Sequence, residues 1–185
     1  MNLAVGTPLS LKKSLVADMG NYRHRVFVQK LGWQLQCEGE LEYDQFDRDD
    51  TVYVIATDED ENVVGTARLL PTTRPYLLDT VFPQLMGGLP LPASNEVWEL
   101  SRFAAVDFKA ASSSAMRQFS SPVAVGLLHE SLKCAAAFGT KRLITVSPLG
   151  IERLLQRNGF RAHRAAPPVV VDGNPLFACW IECEK

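Results

Sequence analysis

The sequence predicts an α+β sandwich, with helices packed on a mixed β-sheet. Three observations predict it. One long helical period opens the chain, strand-like segments follow it, and from residue 121 onward helix and strand alternate. The 185 residues are 46% hydrophobic and 22% charged, with a net charge of −2, which describes one ordinary soluble domain covering 1–185. No internal repeat, low-complexity segment or linker divides it.

Apolar side chains at Leu11, Leu15, Met19, Tyr22, Val26 and Leu31 recur with helical spacing. Ser10 is placed to cap this helix and Gly32 to end it. Arg23 and Phe27, four apart, lie on one helical face. Residues 32 to 50 form a long acidic connection, in which Trp33, Tyr43 and Phe46 argue for order. Thr51 to Thr57 and Val63 to Leu70, joined by DEDEN, read as a hairpin. A loop punctuated by proline runs from Pro71 to Pro92, and EVWELSRFAA (96–105) is the next strand. Pro122 starts a helix that Gly139 stops. Lys141 to Val146 is a strand, and Ser147-Pro148 starts a helix that ends at Gly159. Phe160 to Ala165 and Pro175 to Glu182 are closing strands.

The charge is unevenly placed. From Glu38 to Glu61 there are eleven acidic residues and one basic, whereas Lys141 to Arg164 holds six basic residues and one acidic. These are either two solvated faces or a cation-attracting end and a docking surface for an acidic partner. Nucleic acid is a poor fit, because the basic residues lack interleaved aromatics and the net charge is negative. No apolar run is long enough to insert in a membrane. The start MNLAVGTPLS lacks a secretory pattern, so the chain reads as cytoplasmic. Cys37, Cys134, Cys179 and Cys183 show no zinc-type spacing and read as reduced thiols, and no metal is expected.

Several chemistries are missing: no dinucleotide fingerprint, P-loop, nucleophile elbow or H-E-x-x-H motif occurs. What stands out is a set of charges beside aromatics: Arg23, Asp44, Asp47, Arg68, Glu99 and Arg102. Charged groups inside sheet strands need partners or a task. They form either a buried ion-pair network or a functional site. In a regular strand Glu99 and Arg102 point to opposite faces, and only a bulge lets them converge.

The segments RHRVFVQKLGW, EYDQFD, GTARLLP, VFP, EVWELSRFAA, ITVSPLGIERLLQRNGF and PLFACWIE, in that order, resemble the acyl-homoserine-lactone synthases, the autoinducer synthases of bacterial quorum sensing. The resemblance runs from about residue 20 to the end. Arg23, Phe27, Trp33, Asp44, Asp47, Arg68, Phe82, Glu99 and Arg102 match hallmark positions of that family, and Ser101 and Phe103 flank them in the same strand. It implies a GNAT-like α/β/α sandwich whose sheet splays centrally between strands 96–105 and 141–146. It also implies transfer of an acyl chain from acyl carrier protein to the amino group of S-adenosylmethionine, followed by lactone closure and release of methylthioadenosine. S-adenosylmethionine is then a substrate, and no cofactor is needed.

Within that reading Glu99 is the expected base. Asp44 and Asp47 attract the cationic substrate, and Phe27, Trp33 and Phe82 offer ring faces. Arg23, Arg68 and Arg102 either hold a carboxylate or lock the aspartates. Thr145 and Ser147 fall in the acyl pocket, where serine implies an unsubstituted chain of medium length. Lys141, Arg142, Arg153 and Arg157 are the expected carrier-protein surface. The usual glycine-rich pyrophosphate loop is replaced by RQFSSPVAVG (117–126), which disfavours coenzyme A. The alternatives are a coenzyme A-dependent N-acyltransferase of the same fold and a non-catalytic ligand-binding domain.

Overall fold

The computed structural model describes residues 1–109 and 121–183. Strand β1 (Asn2–Gly6) precedes helix α1 (Lys13–Arg23), which continues as a π-helical segment, His24–Lys30. The short ribbon β2 (Cys37–Glu38) and β3 (Leu41–Glu42) follows, then β4 (Val52–Thr57) and β5 (Val63–Pro71). Helix α2 (Leu77–Val81) and a 3-10 turn (Pro83–Met86) lead to β6 (Val97–Ala104). Helix α3 (Pro122–Ala137), β7 (Arg142–Pro148), α4 (Ile151–Arg157), β8 (Ala162–Arg164), β9 (Val169–Val171) and β10 (Asn174–Glu182) complete the described chain.

The main sheet has the order β1-β4-β5-β6-β7-β10-β8, with β9 beside β10. It is mixed. β1 pairs antiparallel with β4 and β7 with β10, while β6 and β7 run parallel through Val97↔Arg142, Trp98↔Leu143 and Glu99↔Ile144. β6 runs on to Ala104 and β7 to Pro148, beyond this short ladder. Helix α3 supplies the long crossover that a parallel pair requires. This is the predicted GNAT-like, centrally splayed sandwich.

The chain resolves into two compact units. Among the described residues, the first takes Met1–Arg68, 102–109 and 121–130; the second takes Leu69–Ser101 and 131–183. In the first unit, Met19, Tyr53 and Ile55 form one apolar cluster, and Tyr22, Val26, Phe27, Ala104 and Val106 another. The Tyr22 hydroxyl accepts from the Val106 N–H (2.7 Å) and lies 3.0 Å from the Val64 carbonyl, fixing α1 to two chain segments. In the second unit Leu143, Ile144, Phe177, Ala178 and Cys179 are fully buried.

Several boundaries differ from the sequence reading. The first helix begins at Lys13 without a side-chain cap. Ser10 serves the preceding turn instead, its Oγ accepting from the Thr7 N–H at 2.8 Å. The acidic connection is ordered by three aromatics in different ways. Phe46 is buried, Trp33 stacks on Phe27 with centroids 4.8 Å apart, and the Tyr43 hydroxyl donates to the Val16 carbonyl at 2.7 Å. That last contact requires Gly20, because a Cβ there would lie 2.6 Å from the Tyr43 Oη. Ser147 and Pro148 end strand β7; helix α4 starts three residues later, after Gly150. The proline loop contains a helix and a 3-10 turn too short for a periodicity signal. β1 and β9 are edge pieces whose pairing, and not their pattern, makes them strands.

Candidate functional site

Three arginines and three carboxylates meet inside the first unit. Arg23 is carried by the end of α1, where Nε contacts the Glu42 Oε2 at 2.6 Å and Nη1 and Nη2 grip both Asp47 oxygens at 2.8 and 2.9 Å. Arg68, on β5, reaches Asp44 at 2.6 Å and Asp47 at 3.1 Å. Arg102, on β6, contacts Glu42 at 3.0 Å and Asp44 at 2.8 Å through Nη2. Asp47 also accepts from the Tyr53 hydroxyl (2.8 Å) and the Asp44 N–H (2.7 Å). The formal charges sum to zero, which is what makes such deep burial tolerable. Asp44 is the most open member, its side chain 15% exposed against 0 to 5% for the rest.

This network contains every charged residue singled out in the first unit, and it adds one. Glu42 is fully buried and bridges Arg23 to Arg102. Nothing in its spacing separates it from the ten other acidic residues nearby; only its position on β3 turns it inward. Burial opposes its ionisation, yet the Arg23 and Arg102 guanidiniums prevail and hold Glu42 below the usual carboxylate range. Asp47 is likewise held well below that range, where Arg23 and Arg68 outweigh burial. Lowered native values stabilise the fold above the ordinary carboxylate pKa of about 4, and that stabilisation is lost as pH falls through the native values. Titration from about pH 7 to about pH 3 is therefore expected to lower the thermal midpoint steeply below about pH 5. A flat midpoint across that range would contradict the network's ionisation.

The backbone at Arg102 departs from that of a regular strand. Its φ is +50°, a left-handed conformation for a non-glycine residue within a strand. Such a residue breaks the two-residue alternation in the manner of a bulge. Its guanidinium sits 5.6 Å from the Phe27 ring centroid and 5.8 Å from that of Trp33. Phe27 is buried while Trp33 is 44% exposed, so the stacked pair carries one ring face to the surface. Two flanking residues of β6, Ser101 and Phe103, are buried and half-buried.

The second unit holds Glu99, Phe82, Thr145 and Ser147. Glu99 is fully buried and accepts from the N–H groups of Leu77 (3.0 Å) and Leu78 (2.7 Å), one on each oxygen. Phe82 ends α2 and is half-buried. Thr145 and Ser147 alternate on one face of β7, with Cys179 and Phe177 as their partners across β10. Burial pushes the Cys179 thiol up to about 12, so it is an inert packing group. On the surface, Lys141 pairs with Glu96 (2.6 Å), Arg164 pairs with Glu152 (2.7 Å), and Arg142 lies over Trp180 (4.2 Å). Arg153 and Arg157 stand exposed one turn apart on α4. Among the described residues no group of three or more His, Cys, Asp or Glu is arranged to hold a metal. No helix among them is long and apolar enough to cross a membrane. Arg117 to Ser120, the first part of the segment that replaces the pyrophosphate loop, lie outside the described residues.

The family model for autoinducer synthase matches residues 9–185. The chain belongs to the autoinducer synthase family. An acyl-homoserine-lactone synthase of Acinetobacter nosocomialis is 53% identical over 182 residues, covering 98% of this chain and all of that one. The crystal structure of TofI, in a ternary complex with an inhibitor and MTA, superimposes with a TM-score of 0.84 at 44% identity, covering 100% of this chain and 92% of that one. MesI, described as a CoA-dependent acyl-homoserine lactone synthase, gives a TM-score of 0.83 at 26% identity, covering 99% and 89% of the two chains. As a member of this autoinducer synthase family the protein is an acyltransferase of the acyl-homoserine-lactone synthase class.

Proposed function

We propose that this synthase joins an acyl chain, delivered by acyl carrier protein, to S-adenosylmethionine and closes the product to a lactone. The relationship to the Acinetobacter nosocomialis synthase, 53% identical from end to end, carries the reading. MTA bound to TofI, 44% identical, supports S-adenosylmethionine as the amine substrate. The amine attacks the thioester carbonyl, forms an amide and releases the carrier thiol. One ammonium proton goes to a base and a second ends on the departing thiol. The substrate carboxylate then attacks its own γ-carbon, and the C–S bond to the sulfonium breaks as methylthioadenosine leaves. A sulfonium departs readily, so the protein's work is largely positioning and proton removal.

The residues take roles their surroundings suit. In the first unit Asp44, the least buried carboxylate, faces the cationic substrate, and Phe27 with Trp33 offers a ring face to it. Asp47, saturated by Arg23, Arg68, Tyr53 and a backbone N–H, holds the network together. In the second unit Glu99, the buried carboxylate at the start of α2, accepts the ammonium proton through a water. Thr145 and Ser147 bound the acyl chain, which we assign as unsubstituted and of medium length. The reaction draws on no cofactor or metal, and the enzyme works in the cytoplasm.

Arg153 and Arg157, exposed and without an acidic partner among the described residues, support docking of an acidic carrier protein. Reversing both to glutamate is expected to raise the apparent KM for carrier protein at least tenfold at low salt and leave S-adenosylmethionine binding intact. An unchanged KM places the docking surface elsewhere. MesI, a CoA-dependent relative, makes the donor the decisive measurement. Incubation with S-adenosylmethionine and matched acyl-carrier or acyl-coenzyme A donors, read by mass spectrometry, should yield lactone chiefly from the carrier. Lactone chiefly from acyl-coenzyme A reverses the donor assignment. No lactone, with acylation of another amine, overturns the synthase reading.

A further inference from the structure

Glu99 does more than the base role needs. A water-mediated base requires one accessible lone pair, but this carboxylate is fully buried and commits an oxygen to each of the first two N–H groups of α2. Those are groups that a helix cannot satisfy internally, and α2 has no side-chain cap of its own. Neighbouring contacts act the same way. The Thr72 hydroxyl lies 2.8 Å from the Val97 carbonyl and 3.0 Å from that of Ser94, and the Tyr76 hydroxyl donates to the Pro92 carbonyl at 2.7 Å. The segment between β5 and β6, which its sequence marks as a loop punctuated by proline, is thus fastened by buried polar side chains. It ends α2 at Phe82, whose N–H donates to the Leu78 carbonyl at 3.2 Å.

We propose that Glu99 is a positioning residue as well as a proton acceptor: its carboxylate anchors the start of α2 and so sets Phe82 for S-adenosylmethionine. This rests on the synthase reading for the identity of the substrate, and on the two carboxylate contacts for the anchor itself.

Leucine 77 provides a test that leaves Glu99 in place. Tyr76 has φ −137° and ψ 169°, the extended conformation that a following proline demands, and Leu77 is the first residue of α2, where proline is tolerated. Leu77→Pro therefore deletes one donor to Glu99, and Leu77→Ala keeps it while also removing the side chain. Loss of a hydrogen bond to a charged group corresponds to about tenfold or more. Leu77→Pro is expected to raise the KM for S-adenosylmethionine about tenfold over Leu77→Ala, with the pH profile of kcat unmoved. Glu99→Asp, which withdraws the charge by one methylene, should raise KM likewise and speed hydrogen exchange of the Leu78 amide. Equal KM for the proline and alanine variants, or unchanged Leu78 exchange in Glu99→Asp, overturns the anchor. Calorimetry of the unaltered protein stands apart: absence of S-adenosylmethionine binding there sinks the substrate assignment, and the exchange measurement still decides the anchor.

Discussion

Replacing Arg23 with methionine is expected to destabilise the protein by about 3–5 kcal/mol, the range for breaking a buried pair from one side. Arg23 is fully buried and satisfies Glu42 and both oxygens of Asp47. Without it those carboxylates keep Arg102 and Arg68 but lose the cation they share, leaving a net negative charge in the interior. Methionine fills much of the volume, so the loss reports charge and not a cavity. Urea denaturation should show a lower midpoint with an unchanged m-value. Adding Glu42→Gln to the same chain should recover part of the loss, because the surplus charge is then removed. A loss under about 1 kcal/mol, typical of exposed ion pairs, would show that solvent reaches the network.

Glu99→Gln is expected to lower turnover by about 10²–10⁴, the span that general base catalysis contributes. The amide cannot take a proton, and it also sets an NH2 against one of two backbone N–H donors. Two effects are therefore superimposed: a fall in kcat from lost base function and a rise in KM from the loosened start of α2. Steady-state kinetics in both substrates separates them, and the Leu77→Pro variant supplies the second effect alone. Turnover within about threefold of the unaltered enzyme would remove Glu99 from proton transfer.

Much of the fold was readable because period and punctuation agree. Tyr22 and Val26 fall on the buried face of a helical pattern, Gly32 closes it at φ +71°, and Gly139 closes α3 at φ +82°. The hairpin β4–β5 announced itself by two apolar runs around DEDEN. Helix α2, five residues long, carries too few turns for a periodic signal, and its order comes from Glu99, Thr72 and Tyr76. Ser147-Pro148 misled because serine before proline is a helix-start signal, while the pairing Ser147↔Phe177 keeps the strand going.

The sequence by itself determined the family, the mixed sandwich and the list of charged and aromatic residues from which a site is built. Residue type and order along the chain carry that information. Which charges neutralise one another was decided only in three dimensions. Asp44, Asp47 and Glu42 are alike in one dimension. The fold makes Glu42 a buried bridge between two guanidiniums, saturates Asp47 with donors and leaves Asp44 partly open. The same holds within β6. Three residues apart on paper, Glu99 and Arg102 acquire separate partners: the first amides of α2 meet Glu99, while Arg102, at a left-handed φ, reaches Glu42 and Asp44. Partner choice among buried charges depends on distances that no spacing along a chain encodes.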